Sequence, residues 1–137
     1  MTLVAFINGI VMMAMSALMA LTAVLFPDTA HEFTESFVLT GFIGTVVTLA
    51  SAHSAPDIQP RHIFPLTASV WLLAACCGAL PLFLWQMPAT DAFFESMSGI
   101  TTTGSTVLSG LDETPHGILL WRAMLQALGG IGFVVTG

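Results

Sequence analysis

Thr101, Thr102, Thr103, Gly104, Ser105 and Thr106 stand in an uninterrupted row, and a row of that composition does one kind of chemistry well: it offers oxygen to a cation. Each threonine brings a backbone carbonyl and a hydroxyl, and its branched side chain stiffens the chain. Glycine permits backbone angles that turn a carbonyl toward an axis. Stacked carbonyls of this kind can replace the hydration shell of a dehydrated cation. Standing alone, the same run reads as a Ser/Thr/Gly surface loop. Its neighbours change the reading, because DAFFESMSG precedes it as a short apolar helix and long hydrophobic segments lie on both sides. If the flanking segments cross a bilayer, the stretch Asp91–Leu111 either sits outside or dips in and returns. Non-helical backbone at membrane depth is tolerated only where protein or a water-filled cavity covers its polar groups, and a conduction path meets that condition.

The composition places the chain in a membrane. Of 137 residues, 55% are hydrophobic and only ten are charged, eight acidic and two basic, whereas soluble domains approach a quarter charged. Two arginines, no lysine and a net charge of −6 leave no basic surface for nucleic acid. The expected class is an all-α integral membrane protein. Leu3–Phe26 is a first span, long enough for the ~20 residues a bilayer requires, and it lacks the basic n-region and short apolar core of a secretory signal. Pro27 and Asp28 end it, and PDTAHEFTES is read as an acidic connection. Phe37–Ala52 is a second, short segment whose ends borrow Phe33–Ser36. The link HSAPDIQPRH contains Arg61, which favours the cytoplasmic side and so predicts a cytoplasmic N-terminus. Ile63–Gln86 is a third span, with Pro65 in its first turn and Pro81 kinking or finishing its far end. His116–Gly137 is a fourth, and its end at Gly137 without cap or polar tail reads as truncation.

The short helix has a direction that matters. Asp91 is placed to cap a helix over 91–99 of about two turns, with Glu95 near its positive end and Ser98–Gly99 at its close. If the C-terminus points into the membrane, its partial negative charge favours cations over anions. Arg122 lies inside an apolar segment and requires a partner or a route to the surface. Glu95 is the expected partner. Gly129, Gly130 and Gly132 predict close helix contact or a bend.

Other candidate chemistry is weaker. Met12, Met15 and Met19 share a helix face, with Met13 beside them; thioethers can hold Cu(I), but methionine is also an adaptable packing residue. Adjacent Cys76 and Cys77 point about 100° apart on a helix and are not expected to bridge. His31, His53, His62 and His116 fall in three separate links and do not suggest one metal site. No nucleophile elbow, catalytic carboxylate pair or phosphate loop is present, so no enzyme activity and no cofactor are expected.

The stretch DAFFESMSGITTTGSTVLSGLD, followed by LLWRAMLQALGGIGFVV, resembles the first pore repeat of the Trk/Ktr/HKT superfamily of potassium transporters, most closely its bacterial Trk-system uptake branch. The resemblance is specific over 89–135, through the threonines and glycine, the pair Trp121–Arg122, Gln126 and the GGIG at Gly129–Gly132. Residues 1–65 are similar mainly in architecture. Two departures are Ser105, where many bacterial members have alanine, and Ala127, where tryptophan often follows the glutamine. The resemblance implies two N-terminal helices and a cytoplasmic link over 1–62. It implies one pore repeat over 63–137, divided into outer helix 63–86, pore helix 91–99, filter 100–106 and inner helix 116–137, truncated from a four-repeat pore. Thr101, Thr102, Thr103 and Gly104 would coordinate the ion, with K+ at Thr102, Thr103 and Gly104. Ser105, Thr106, Glu95 and Arg122 would support the filter. In plant relatives serine at this glycine accompanies sodium preference, so Gly104 implies a potassium-compatible path. The implied function is K+ uptake across a bacterial inner membrane. The implied partners are the lipid bilayer, the remaining repeats, a second copy in a homodimer and a cytosolic nucleotide-binding regulatory subunit. The competing readings are a non-conducting membrane interaction subunit, a truncated remnant of a transporter and a Met-rich copper carrier.

Overall fold

The computed structural model describes residues 2–53 and 59–136, with side chains to Val135. It is all-α. Four helices are long and apolar enough to cross a membrane: α1 (Thr2–Leu25), α2 (Ala30–Ser51), α3 (Ile63–Leu84) and α5 (His116–Thr136); the fifth, α4 (Ala89–Ile100), is short. At 1.5 Å per residue, α1 with its 24 residues rises ~36 Å, enough for a hydrocarbon core of ~30 Å. The middle of the link before α3, residues 54–58, lies outside the described residues, as does Gly137.

The connection between α1 and α2 is shorter than the acidic run predicts. It is a single 3-10 turn at Pro27–Thr29, and α2 already runs from Ala30. Two of the run's charged residues lie on the solvent side at the start of α2, where His31 and Glu35 are exposed while Glu32 is partly covered and Phe33 and Ser36 are buried. Ser36 donates to the carbonyl of Glu32 at 2.8 Å, closing that turn. α1 and α2 then pack as an antiparallel pair with the most extensive interface in the molecule. Small residues bring the backbones close. A Cβ added at Gly44 would stand 2.9 Å from Met12 Cβ, and one at Gly9 2.9 Å from the Thr48 nitrogen. Met12 meets Gly44 across this seam, and Met12, Met15 and Met19 are all buried in the hydrophobic core, Met15 lining a cavity with residues of α3 and α5, which is the packing role of the methionine face.

Trp121 joins the hairpin to the rest. It is fully buried on α5, meets Phe33 of α2 edge-on with ring centroids 5.6 Å apart, and donates its indole N–H to the Gly78 carbonyl of α3 at 2.9 Å. α3 continues three residues past Pro81 to Leu84, where Gln86 (φ 81°) closes it. Cys76 is exposed and Cys77 buried, both as free thiols. α4 rests between α3 and α5, a short α-helix wedged among long ones.

Candidate functional site

α4 starts earlier than the Asp91 cap predicts. Pro88, with φ −54° and ψ 144°, is the N-cap residue, and Asp91 falls within the first turn without serving as the cap. The fixed φ of proline delivers the chain in extended form, and nothing in Ala89 or Thr90 delays the helix. The helix also runs on to Ile100, giving 12 residues, or about three turns. Glu95 therefore sits mid-helix, where direct bonds rather than the positive helix end determine its environment.

The far end of α4 closes in a specific way. The Thr103 N–H donates to the Ser98 carbonyl at 2.9 Å and the Thr102 N–H to the Gly99 carbonyl at 2.9 Å. This is the paired Schellman closure, whose left-handed position is usually glycine. Here it is Thr102, with φ 58°. A β-branched residue at positive φ costs about 1–3 kcal/mol and persists only where its surroundings fix it. The Thr101 N–H reaches the Met97 carbonyl at 2.9 Å and the Gly104 N–H reaches Ser98 at 3.3 Å. Gly104 is again left-handed, with φ 77°.

All four N–H groups from Thr101 to Gly104 thus turn back into α4. Among the described residues none of the four corresponding carbonyls accepts a hydrogen bond, and residues 101–107 are exposed. The Thr101 hydroxyl bonds the Met97 carbonyl at 2.6 Å and lies 2.9 Å from the Thr103 hydroxyl. The result is a short run of exposed residues whose N–H groups are all engaged and whose carbonyls, among the described residues, accept no hydrogen bond.

Glu95 holds the next limb. It is 2% exposed. One carboxylate oxygen accepts the Nε–H of Arg122 at 2.8 Å, so the expected pair forms. The other accepts the Thr106 hydroxyl, the Val107 N–H at 2.6 Å and the Leu108 N–H at 3.3 Å. Burial alone would raise its pKa, but the bonds from Thr106 and Val107 and the adjacent guanidinium outweigh it and hold the carboxyl below its ordinary range. Glu95, Ser98, Arg122 and Gln126 line a small polar cavity of ~150 Å³ behind the loop.

α5 supports the site from below. A Cβ at Gly129 would stand within contact of the Ile100 carbonyl oxygen and 2.7 Å from its carbon, so the two backbones touch. The other two glycines do not share this role: Gly130 opens to space and Gly132 meets the Trp71 ring at an ordinary 3.6 Å. Two features were not read from the sequence as site elements: the left-handed Thr102 and the two-sided bonding of Ser98. A serine followed by glycine at a helix end reads as a stop signal and hides both. Among the described residues no group of three or more His, Cys, Asp or Glu could hold a metal ion.

Residues 29–137 match the family model described as TrkH, cation transport protein. The chain is 40% identical over 119 residues to the Trk system potassium uptake protein TrkH of Escherichia coli strain K12, covering 84% of this chain and 25% of that one. It is 38% identical over 136 residues to the protein of the same name from Halomonas elongata, covering 94% and 28%. The crystal structure of the potassium transporter TrkH from Vibrio parahaemolyticus superposes with a TM-score of 0.88 at 33% identity, over 96% of this chain and 30% of that one. The chain therefore spans about a quarter of the length of the curated relatives it matches. Matched across four-fifths of its length and aligned with the fold described above, the chain belongs to the TrkH cation transport protein family.

Proposed function

We propose that this chain supplies one of four filter segments of a K+ uptake pathway in a bacterial inner membrane, with its N-terminus in the cytoplasm. The observation that carries the reading is the run Thr101–Gly104, four exposed residues whose N–H groups are all engaged by α4 while none of their carbonyls accepts a hydrogen bond among the described residues. Free carbonyls at membrane depth are costly unless an ion or water takes them, and K+ exchanges its hydration shell for such oxygens. The names of the relatives, which are potassium uptake proteins, support the same ion.

On this reading residues 63–137 form the pore repeat. α3 is its outer helix, α4 the pore helix, 101–106 the filter and α5 the inner helix, while 1–62 form an additional helical pair. Thr101, Thr102, Thr103 and Gly104 coordinate K+, whereas Glu95, Arg122, Ser105 and Thr106 hold the filter in place. One segment cannot ring an ion, so three further segments complete the path. A second copy of the assembly and a cytosolic nucleotide-binding regulator are the partners proposed with it. The work is transport without covalent chemistry: fixed dipoles substitute for water.

The test is rubidium uptake and potassium-limited growth in a strain lacking its own uptake systems. The chain is expressed alone, and also in place of the matching quarter of the Escherichia coli relative, with and without Gly104→Ser. Uptake by the chimera, with a K+/Na+ preference altered by the substitution, is the expected result. A membrane-inserted chimera that moves no rubidium would overturn it and favour an interaction subunit. Uptake by the short chain alone would mean that several copies build the ring.

A further inference from the structure

The row of carbonyls that accept no hydrogen bond among the described residues ends at Gly104, and one side chain marks the place. Ser98 is 5% exposed and lies on the face of α4 turned toward the loop. Its backbone oxygen accepts the N–H groups of both Thr103 and Gly104, at 2.9 and 3.3 Å. Its hydroxyl donates to the carbonyl of Ser105 at 2.6 Å. The two bonds act in opposite senses. The first turns the N–H groups of 103 and 104 inward, so the carbonyls of 102 and 103, trans to them across the same peptide planes, face the other way. The second pulls the carbonyl of Ser105 inward. Beyond it, Glu95 takes the N–H groups of Val107 and Leu108, so the chain has reversed which face it shows to the protein.

We propose that Ser98 is a specificity-determining positioning residue: by capturing the Ser105 carbonyl it fixes the outer end of the oxygen row at Gly104. It never touches the ion. Without its hydroxyl the Ser105 carbonyl is released, a fifth oxygen becomes free to swing outward, and the link between the 101–104 and 106–108 limbs loses its only side-chain tether at 105. Selection between K+ and Na+ depends on the number and placement of coordinating oxygens, so preference changes before assembly does. This inference rests on the filter reading given above.

The test uses the same chimera, measuring Na+ inhibition of rubidium uptake for Ser98→Ala, Ser98→Cys and Ser98→Thr beside Gly104→Ser. Alanine is expected to reduce the K+/Na+ preference by roughly 2- to 10-fold, the worth of one hydrogen bond. Cysteine, a weaker donor of similar size, should fall between alanine and the parent, and threonine, which keeps the hydroxyl, should restore the parent value. A preference altered by Gly104→Ser but unmoved by alanine and cysteine would sink the Ser98 role and leave the filter reading standing. If Gly104→Ser also leaves preference unchanged, the filter reading fails and takes this inference with it. Should alanine fail to reach the membrane, the cysteine and threonine pair decides: equal preference in both overturns the proposal.

Discussion

The α1–α2 hairpin and the loop 101–108 are both tightly held, but by different means. The hairpin is closed by fit. Small residues at Gly9, Gly41 and Gly44 let the backbones approach, with Met12 packed against Gly44 and one side-chain bond across the seam, from the Ser16 hydroxyl to the Phe37 carbonyl at 2.8 Å. The loop is closed by address. Each N–H from 101 to 104, the carbonyl of 105, and the groups of 106 to 108 go to named atoms on Met97, Ser98, Gly99 or Glu95. Packing of the first kind tolerates any side chain of suitable volume. Bonding of the second kind tolerates only particular atoms, because a buried polar group left alone costs its full desolvation. For the loop the side chains hardest to exchange are therefore the two buried ones that hold it, Glu95 and Ser98.

The sharpest way to break this comparison is to remove the carboxylate. Glu95→Ala strands Arg122 and releases three loop donors, and breaking such a buried pair costs about 3–5 kcal/mol. Thermal unfolding of the purified protein in detergent should show the largest loss of any single substitution here. A small loss would mean that the loop is held by fit after all. Gly129→Ala comes next, since its methyl group meets backbone rather than a movable side chain; overpacking of this sort costs about 1–3 kcal/mol. It should abolish uptake by the chimera while leaving membrane insertion intact. Gly44→Ala meets Met12 Cβ at 2.9 Å and backbone atoms of Gly9 and Met13 at 3.2 Å, looser than the contact at Gly129 but with no flexible side-chain end to yield, so about 1–2 kcal/mol and retained transport are expected. Smallest of all, Val46→Ala on the exposed face of α2 should change stability by less than ~0.5 kcal/mol.

Acidity sharpens the same contrast. Glu95 has a folded pKa below its ordinary 4.5, so its contribution is fully present above that value and is lost as pH falls through the folded value. Melting temperature should therefore hold from neutral pH to about 4.5 and decline below it. Glu95→Gln should flatten part of that decline, and an unchanged slope would show that other carboxylates govern it.

The helices were legible in the sequence because unbroken apolar runs have few alternatives in lipid. Their starts were less so. Residues 30–36 look like loop by charge, yet His31 and Glu35 face outward while Phe33 and Ser36 face the core, and only the three-dimensional neighbour Trp121 explains why that face is worth burying. The Glu95–Arg122 pair was legible from a plain argument: a lone cation in an apolar segment must find an anion. Ser98 was not, because its two bonds reach residues whose backbone angles no composition reveals. Thr102 is the clearest case. Left-handed positions announce themselves through glycine, and here threonine occupies one.

The contact between Gly129 and Ile100 has a mechanical consequence. Two backbones that meet with no side chain between them form a stiff joint, free of the slack that rotamers provide. A tilt of α5 at this height is delivered directly to the last residue of α4, and from there along one peptide to Thr101. Whatever moves the long helix at this height also moves the backbone at Ile100 and Thr101, since the clearance between the two chains is less than a single methyl group.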